Sequence, residues 1–157
     1  MELRAMFVRL AGTGAAMAFG SALLVGAETS AQAAPVNYQV VNGNSRNACL
    51  QLVNVSADRK NLVLATCDRS AKQVWRIAGG VFSNPASGFC LDGDGADVYA
   101  LRCNGGGYQK WTTTSGSPKS IRHNQSGRYL HADGEAGDQV VFKPTKATAS
   151  RWVLDRL

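Results

Sequence analysis

The chain has 157 residues and a formal net charge of +6 at pH 7, with 45% hydrophobic, 18% charged and 8% aromatic residues. This composition excludes a disordered or low-complexity protein, and the length excludes a large multidomain enzyme. The chain is long enough for one ordinary domain, or for one small domain that follows a targeting segment.

The N-terminal segment, residues 1–33, predicts a secretory signal peptide. Arg4 and Arg9 precede a stretch, residues 10–27, that is apolar, rich in Ala and Gly, and free of charge. The segment ends in Ala31-Gln32-Ala33, which fits a small-x-small cleavage site. A transmembrane anchor is the alternative, but the stretch is weakly hydrophobic and short for a bilayer span. We therefore expect a secreted protein without a membrane span, in which residues 34–157 form the mature domain.

The predicted domain contains an internal repeat. Two segments have a cysteine followed by leucine, and later a second cysteine followed at fixed spacing by Gln-x-Trp. The repeated markers are Cys49, Cys67, Gln73 and Trp75, and then Cys90, Cys103, Gln109 and Trp111. A third segment aligns with these two, ends in Trp152, and has Tyr129 and Pro144 in place of its cysteines. These markers predict three repeats of about forty residues each, at about 36–79, 80–115 and 116–157.

Secretion makes the four cysteines candidates for two disulfides rather than for a metal site. The third repeat lacks both cysteines together, which is expected if the two cysteines of one repeat bond to each other. Of the three possible connectivities, this observation favours Cys49–Cys67 and Cys90–Cys103. No metal or cofactor is expected, because the chain has only two histidines and no Cys-x-x-Cys pair.

The predicted elements of the domain are short strands. In chain order, the β-branched and aromatic runs are residues 37–41, 62–66, 98–101 and 139–142. Turn sequences rich in Gly, Asn and Asp lie between them, at residues 42–44, 92–95 and 104–107. No part of the domain sustains a helical apolar period with caps. The domain is therefore predicted to be all-β, and three similar units suggest a closed threefold arrangement.

Together these motifs resemble the ricin B-type β-trefoil lectins. Gly88-Phe89-Cys90-Leu91-Asp92 opens the middle repeat as in that family, and Cys-x5-Gln-x-Trp closes it. The resemblance covers residues 34–157 and implies a β-trefoil, which is a six-stranded barrel capped by three hairpins. It also implies a sugar-binding module that stands alone or is appended to a glycosidase or toxin. The Ala/Gly-rich targeting segment suggests a bacterial source.

The resemblance also implies a sugar pocket in the middle repeat. In the family, an Asp after Cys-Leu accepts sugar hydroxyls, a ring stacks on the sugar, and a polar pair supports the hydroxyls. Asp92 matches the acceptor and Gln109 the supporting amide, whereas Tyr108 stands where the family usually has Asn in the supporting pair. Leu101 replaces the usual ring, so Tyr99, on the same face of the predicted strand, is expected to supply it. We therefore expect weak binding to a glycan or a cell-surface polysaccharide.

The other two repeats have lost most of these ligands. The substituted positions are Gln51, Ala65 and Lys72 in the first repeat, and His131, Ala149 and Ser150 in the third. Tryptophan nevertheless occurs at the matching position of every repeat, including those without a pocket. We therefore expect all three tryptophans, Trp75, Trp111 and Trp152, to belong to the core.

A second class of function stays open on the same scaffold. A trefoil with decayed sugar pockets is also suited to act as a protein-interaction or adaptor subunit that holds a secreted toxin or enzyme. An enzyme is not expected, because hydrolase motifs and a flanking carboxylate pair are absent from the sequence. His131 with Asp133 and Glu135 is the nearest approach to an acid–base set, and exposed turns commonly contain such residues. The positive charge is scattered, so no specific nucleic-acid partner is predicted.

Overall fold

Twelve short β-strands and two single-turn 3-10 helices make up the part of the chain that the computed structural model describes, residues 35–54 and 56–157. The predicted signal peptide, residues 1–33, lies outside these described residues. Within them, no helix has the length and apolar character needed to cross a membrane.

The strands fall into three groups of four that follow the three sequence repeats. The first group is β1 (Asn37–Asn42), β2 (Ala48–Asn54), β3 (Arg59–Thr66) and β4 (Trp75–Ala78). The second is β5 (Val81–Asn84), β6 (Phe89–Gly93), β7 (Val98–Arg102) and β8 (Trp111–Thr113), with one 3-10 helix (Gly107–Gln109). The third is β9 (Lys119–His123), β10 (Tyr129–His131), β11 (Val141–Lys143) and β12 (Arg151–Arg156), with the other 3-10 helix (Thr148–Ser150).

Six of these strands form a closed barrel. Antiparallel pairing joins β1 to β4, β4 to β5, β8 to β9, β9 to β12, and β12 back to β1. The ring closes next to β5, where the N–H of Trp111, the first residue of β8, donates to the carbonyl of Gly80, the residue before β5, at 2.8 Å. The other six strands form three hairpins, β2–β3, β6–β7 and β10–β11. This is a β-trefoil, so the fold class predicted from the sequence is confirmed.

The three tryptophans lie at the centre of the core. Trp75 and Trp152 are completely buried, and Trp111 is 2% exposed. Each indole Nε1–H donates to a leucine carbonyl of its own repeat at 3.0 Å; the acceptors are Leu50, Leu91 and Leu130. A buried indole needs a partner for its N–H, and a leucine in the first strand of each hairpin supplies one. This repeated bond explains why every repeat carries tryptophan, whatever its pocket contains.

Two disulfides close the first two hairpins, as predicted. They join Cys49 to Cys67 and Cys90 to Cys103, over sequence separations of 18 and 13 residues. In the third repeat, Tyr129 occupies the first cysteine position and pairs with Lys143 across the hairpin. That hairpin therefore depends on its strand pairing and core contacts alone.

Candidate functional site

The hairpin β6–β7 brings two of the predicted site residues together. Its register places Asp92 directly opposite Tyr99, and all five residues of β6 are buried. Gly93 follows Asp92 at a point of close packing, because a Cβ there would lie 2.6 Å from Phe142 Cζ and 2.9 Å from the Asp97 carbonyl oxygen. The sequence placed Asp92 and Gly93 in a turn, which is wrong: they are the last two residues of β6. The strand therefore holds the Asp92 backbone rigidly against the third repeat.

Asp92 and Gln109 form a buried polar pair. The Gln109 Nε2 group donates to Asp92 Oδ2 at 2.9 Å and to the Arg102 carbonyl at 3.0 Å. Gln109 Oε1 accepts the Asn104 N–H at 2.9 Å, so the amide is used at both ends. Asp92 Oδ1 accepts the Gly93 N–H at 2.7 Å. An ionised carboxylate has about four acceptor sites, so Asp92 keeps capacity for further donors.

Asp92 lies in the wall of a shallow pocket of about 170 Å³. The lining residues are Asp92, Asp94, Tyr99, Leu101, Asn104, Gly106 and Tyr108. Three of the four predicted sugar contacts are therefore in the wall, whereas Gln109 is fully buried behind Asp92. Pockets for drug-sized ligands begin at about 300 Å³. This one has room for part of a sugar ring.

The two tyrosines of the pocket differ in accessibility. Tyr99 is 9% exposed, and the Arg59 guanidinium from the first repeat lies over its ring at 3.9 Å from the centroid. Arg59 is itself paired with Asp97 at 3.6 Å. The pKa of Tyr99 is raised, mainly because the side chain is buried and also because the Asp92 carboxylate lies nearby. Tyr108 is instead 53% exposed. One tyrosine is thus part of the wall, and the other presents its ring to solvent.

His123 supports the exposed tyrosine from beneath. Its ring centroid lies 6.2 Å from that of Tyr108, and its Nε2 lies 3.0 Å from the Tyr108 carbonyl oxygen. A carbonyl only accepts, so Nε2 carries the proton and Nδ1 accepts from the Ser126 hydroxyl at 2.9 Å. Burial lowers the pKa of His123, which keeps the ring neutral. His123 is not among the site residues predicted from the sequence.

A signal for His123 was present in the repeat alignment. His123 is the last residue of β9, as Asn42 is of β1 and Asn84 is of β5, and all three side chains are buried. Asn42 and Asn84 also donate to backbone carbonyls, at 2.9 Å and at 2.7 Å. A polar residue at one structural position of every repeat indicates a shared supporting role.

Asp94 and Asn104 also line the pocket and were not predicted. Asp94 Oδ1 accepts the N–H groups of Ala96 and Asp97 at 2.9 and 2.8 Å, so it closes the turn between β6 and β7. These two backbone hydrogen bonds lower the pKa of Asp94, and the bond from the Asp97 N–H has the larger effect. Residues 35–54 and 56–157 contain no group of three acidic, His or Cys side chains arranged to hold a metal ion.

The matching positions of the other repeats hold different polar pairs. In the first repeat, Gln73 Nε2 donates to Gln51 Oε1 at 3.0 Å and no carboxylate is present. In the third, the Ser150 hydroxyl and His131 Nδ1 are 2.9 Å apart, and His131 Nε2 lies 3.0 Å from Asp133 Oδ1. This chain of Ser, His and Asp offers no accessible nucleophile, because Ser150 is completely buried.

Comparison with solved structures identifies similar folds. The hemolytic lectin CEL-III is 25% identical with a TM-score of 0.63, over 75% of this chain and 30% of that one. The designed three-fold symmetric protein ThreeFoil is 24% identical with a TM-score of 0.68, over 77% of this chain and 99% of that one. The C-half of an earthworm R-type lectin, solved in complex with GalNAc, is 11% identical with a TM-score of 0.66, over 78% of this chain and 100% of that one.

The comparison of sequences gives the family. A search of the curated proteins found no match. The family model of the ricin-type β-trefoil lectin domain matches residues 36–152, which is most of the chain. This fold is a carbohydrate-binding one and is generally non-enzymatic. With the match, the trefoil and the repeated Trp–Leu bonds in agreement, the chain belongs to the ricin-type β-trefoil lectin domain family.

Proposed function

We propose that the protein is a secreted lectin that binds carbohydrate weakly through the pocket of its middle repeat. The observation that carries this proposal is the Asp92 carboxylate, held by Gln109 at 2.9 Å in the wall of a pocket that also presents the exposed ring of Tyr108. A fixed acceptor beside an aromatic surface is the combination that a sugar ring requires, since one side of the ring is polar and the other is apolar.

Asp92 accepts the sugar hydroxyls in this proposal, and Gln109 acts by positioning it. Both hydrogen atoms of the Gln109 amide are already committed, to Asp92 Oδ2 and to the Arg102 carbonyl. Gln109 therefore has no donor left for a ligand, while each Asp92 oxygen retains a free acceptor site. Two neighbouring hydroxyls that donate to one carboxylate gain charge-assisted hydrogen bonds.

We assign the stacking contact to Tyr108 in place of Tyr99. One face of the Tyr99 ring is covered by Arg59, and the residue is only 9% exposed. Tyr108 is 53% exposed and its backbone is fixed by His123. A ring held in place covers the C–H face of a sugar at a small cost in conformational entropy. Tyr99 then contributes a contact at the wall of the pocket.

The binding is expected to be weak and non-catalytic. The pocket is shallow, and the first and third repeats lack the carboxylate, so a single site acts without the gain that several linked sites give. Glycoside hydrolysis needs two carboxyl groups, one with a raised pKa. The second carboxylate of the pocket, Asp94, has a lowered pKa and is bonded to its own turn.

Secretion is the second part of the proposal. Two disulfides fit a protein that folds in an oxidising compartment. Arg4, Arg9 and the apolar stretch 10–27 supply a leader of the expected kind. Mass measurement of the N-terminus of the exported protein tests this part, and an N-terminus at Ala34 is expected.

The binding proposal is tested on a glycan array at low salt with matched variants. Asp92→Asn removes the charge, and we expect at least a tenfold loss of binding, since a hydrogen bond to a charged group contributes about 1.5–3 kcal/mol. Tyr108→Ala is expected to weaken binding severalfold. Lys72→Ala changes the equivalent position of the first repeat and is expected to have no effect. A folded wild-type protein that binds no glycan, or an Asp92→Asn variant that binds normally, contradicts the proposal.

A further inference from the structure

A larger concave region lies outside the middle-repeat pocket, along the outer face of β12. It consists of two adjoining cavities of about 440 and 460 Å³ that share Gly43 and Pro118. Three separate segments form it: the turn after β1, the residues before β9, and the residues that lead into β12. We call this region the β12 groove.

The β12 groove carries an excess of positive charge. Arg46, Lys146 and Arg151 line it and are exposed, against one carboxylate, Asp155. Among the described residues, the ion pairs join Arg59 to Asp97 and His131 to Asp133, and neither involves the groove. The three cations are therefore not neutralised by carboxylates, and their fields add within one concave surface.

Arg151 and Lys146 each contact another part of the chain. The Arg151 Nη1 group lies 3.5 Å from the Pro118 carbonyl oxygen across the groove, and the Arg151 carbonyl accepts the Gly43 N–H at 2.6 Å. A Cβ at Gly43 would lie 2.7 Å from Arg151 Cβ, so only glycine permits this approach. Lys146 Nζ lies 5.7 Å from the Tyr129 ring centroid. The backbone of Arg151 is therefore fixed in the groove, while both charged groups stay exposed and accessible to an anion.

We propose that the β12 groove binds the sulfate or phosphate groups of an anionic polysaccharide. A guanidinium forms two parallel hydrogen bonds to an oxyanion, and Arg46 and Arg151 both offer one. Val41, Val153 and Pro118 supply an apolar surface for the C–H face of a sugar ring. The hydroxyls of Ser117 and Thr148 supply partners for sugar hydroxyls.

The residues that line the β12 groove are poorly suited to bind a nucleic acid. Binding of single strands relies on aromatic side chains on which bases stack, and none lines the groove in the described structure. Tight binding of a duplex commonly uses about six to ten phosphate contacts, whereas the groove offers three cations. An anionic saccharide needs only the few charges and the short apolar floor that the groove provides.

The test is direct binding of the purified protein to immobilised heparin, to dextran phosphate and to uncharged dextran, over a series of salt concentrations. We expect binding to at least one of the two anionic polymers and none to uncharged dextran. Heparin presents sulfate and dextran phosphate presents phosphate, each on sugar rings, so their relative binding identifies the preferred oxyanion. A single-stranded oligonucleotide is included, and tighter binding to it than to either anionic polymer contradicts the proposal.

Two triple variants that each remove three positive charges distinguish binding at the β12 groove from a general electrostatic attraction to the protein. The first variant combines Arg46→Gln, Lys146→Gln and Arg151→Gln, and so removes all three cations of the groove. We expect a roughly tenfold loss of binding to the anionic polymer, since each exposed ion pair contributes a few tenths of a kcal/mol. The control variant combines Arg69→Gln, Lys72→Gln and Arg128→Gln, which removes three exposed cations outside the groove. We expect it to lose less than about twofold in binding to the same polymer.

Equal losses in the two triple variants, or no loss in the groove variant, overturn the proposal. Circular dichroism and thermal unfolding of both variants establish that the fold is intact. Asp92→Asn should leave heparin binding unchanged, and the groove variant should leave binding of neutral glycans unchanged. Failure of one site is therefore distinguishable from failure of the other.

Discussion

The middle and third repeats share one framework and differ in the polar pair that the framework holds. In both, the tryptophan Nε1–H donates to a hairpin leucine at 3.0 Å, and two buried side chains then bond at 2.9 Å. The pair is Asp92 with Gln109 in the middle repeat, and His131 with Ser150 in the third. The framework therefore tolerates any pair that satisfies its own hydrogen bonds.

The difference shows how a binding site is lost without loss of the fold. An unpaired buried polar group costs about 1–3 kcal/mol, so a replacement at either position is accommodated when the new pair still forms its hydrogen bond. The first repeat has a third hydrogen-bonded pair at the same positions, Gln51 with Gln73. Within residues 35–54 and 56–157, the middle repeat alone has a carboxylate in this polar pair, and the exposed ring of Tyr108 lines the same pocket.

The strongest test of the shared framework is replacement of each tryptophan in turn. Trp75→Ala, Trp111→Ala and Trp152→Ala should each lower the free energy of unfolding by roughly 3–5 kcal/mol, because each opens a cavity and removes a buried hydrogen bond. Urea unfolding measures the losses. Trp→Phe variants, which keep most of the volume, are expected to lose about 1–3 kcal/mol. A much smaller loss for Trp152 than for Trp111 contradicts a common framework.

The disulfides allow a second comparison between repeats. Removing either bond, with Cys49→Ser and Cys67→Ser or with Cys90→Ser and Cys103→Ser, should cost about 3 kcal/mol, since both close loops of similar length. Calorimetry in oxidising buffer measures this cost. Glycan binding should fall only in the second variant, because Cys103 adjoins Asn104 in the pocket wall. An equal fall in both variants shows that stability, and not the pocket, limits binding.

Transplanting one polar pair into another repeat tests whether the framework and the pocket are independent. Asp92→His with Gln109→Ser gives the middle repeat the pair of the third, and each side chain again has a buried partner. We expect the variant to fold with a loss of no more than about 2 kcal/mol and to bind no glycan. Unfolding curves and the glycan array are the measurements. If the variant still binds glycan, the difference in polar pair between the middle and third repeats does not explain binding.

The smallest expected effect concerns His123, where the other repeats have asparagine. Burial lowers the pKa of folded His123, so the unfolded chain takes up a proton first as the pH falls. The stability that neutral His123 confers is complete above the ordinary histidine pKa of about 6.5, and it is lost as the pH falls below that value. His123→Asn should flatten the dependence of melting temperature on pH below the ordinary histidine pKa. A parallel dependence in the variant and the wild type contradicts this role.

Several features of the site were predictable because they depend on spacing within one repeat. The cysteine pairing and the core tryptophans follow from markers that recur along the chain. Other features bring distant segments together and have no local pattern. Arg59 crosses from the first repeat to cover Tyr99, and Gly93 packs against Phe142 of the third. The exposure of Tyr108 and the cover over Tyr99 therefore could not be predicted from the spacing of residues within one repeat.

The repeat pattern alone predicted that three similar units close into one threefold arrangement, since no unit buries its apolar face by itself. The resemblance of the repeated motifs to the ricin B-type lectins identified that arrangement as a β-trefoil. Which surfaces remain open was decided only by tertiary packing. Exposure of Tyr108, burial of Tyr99 and assembly of the β12 groove from three segments each depend on contacts between residues far apart in the chain. Local spacing specifies hydrogen bonds within a repeat, whereas accessibility is a property of the whole folded surface.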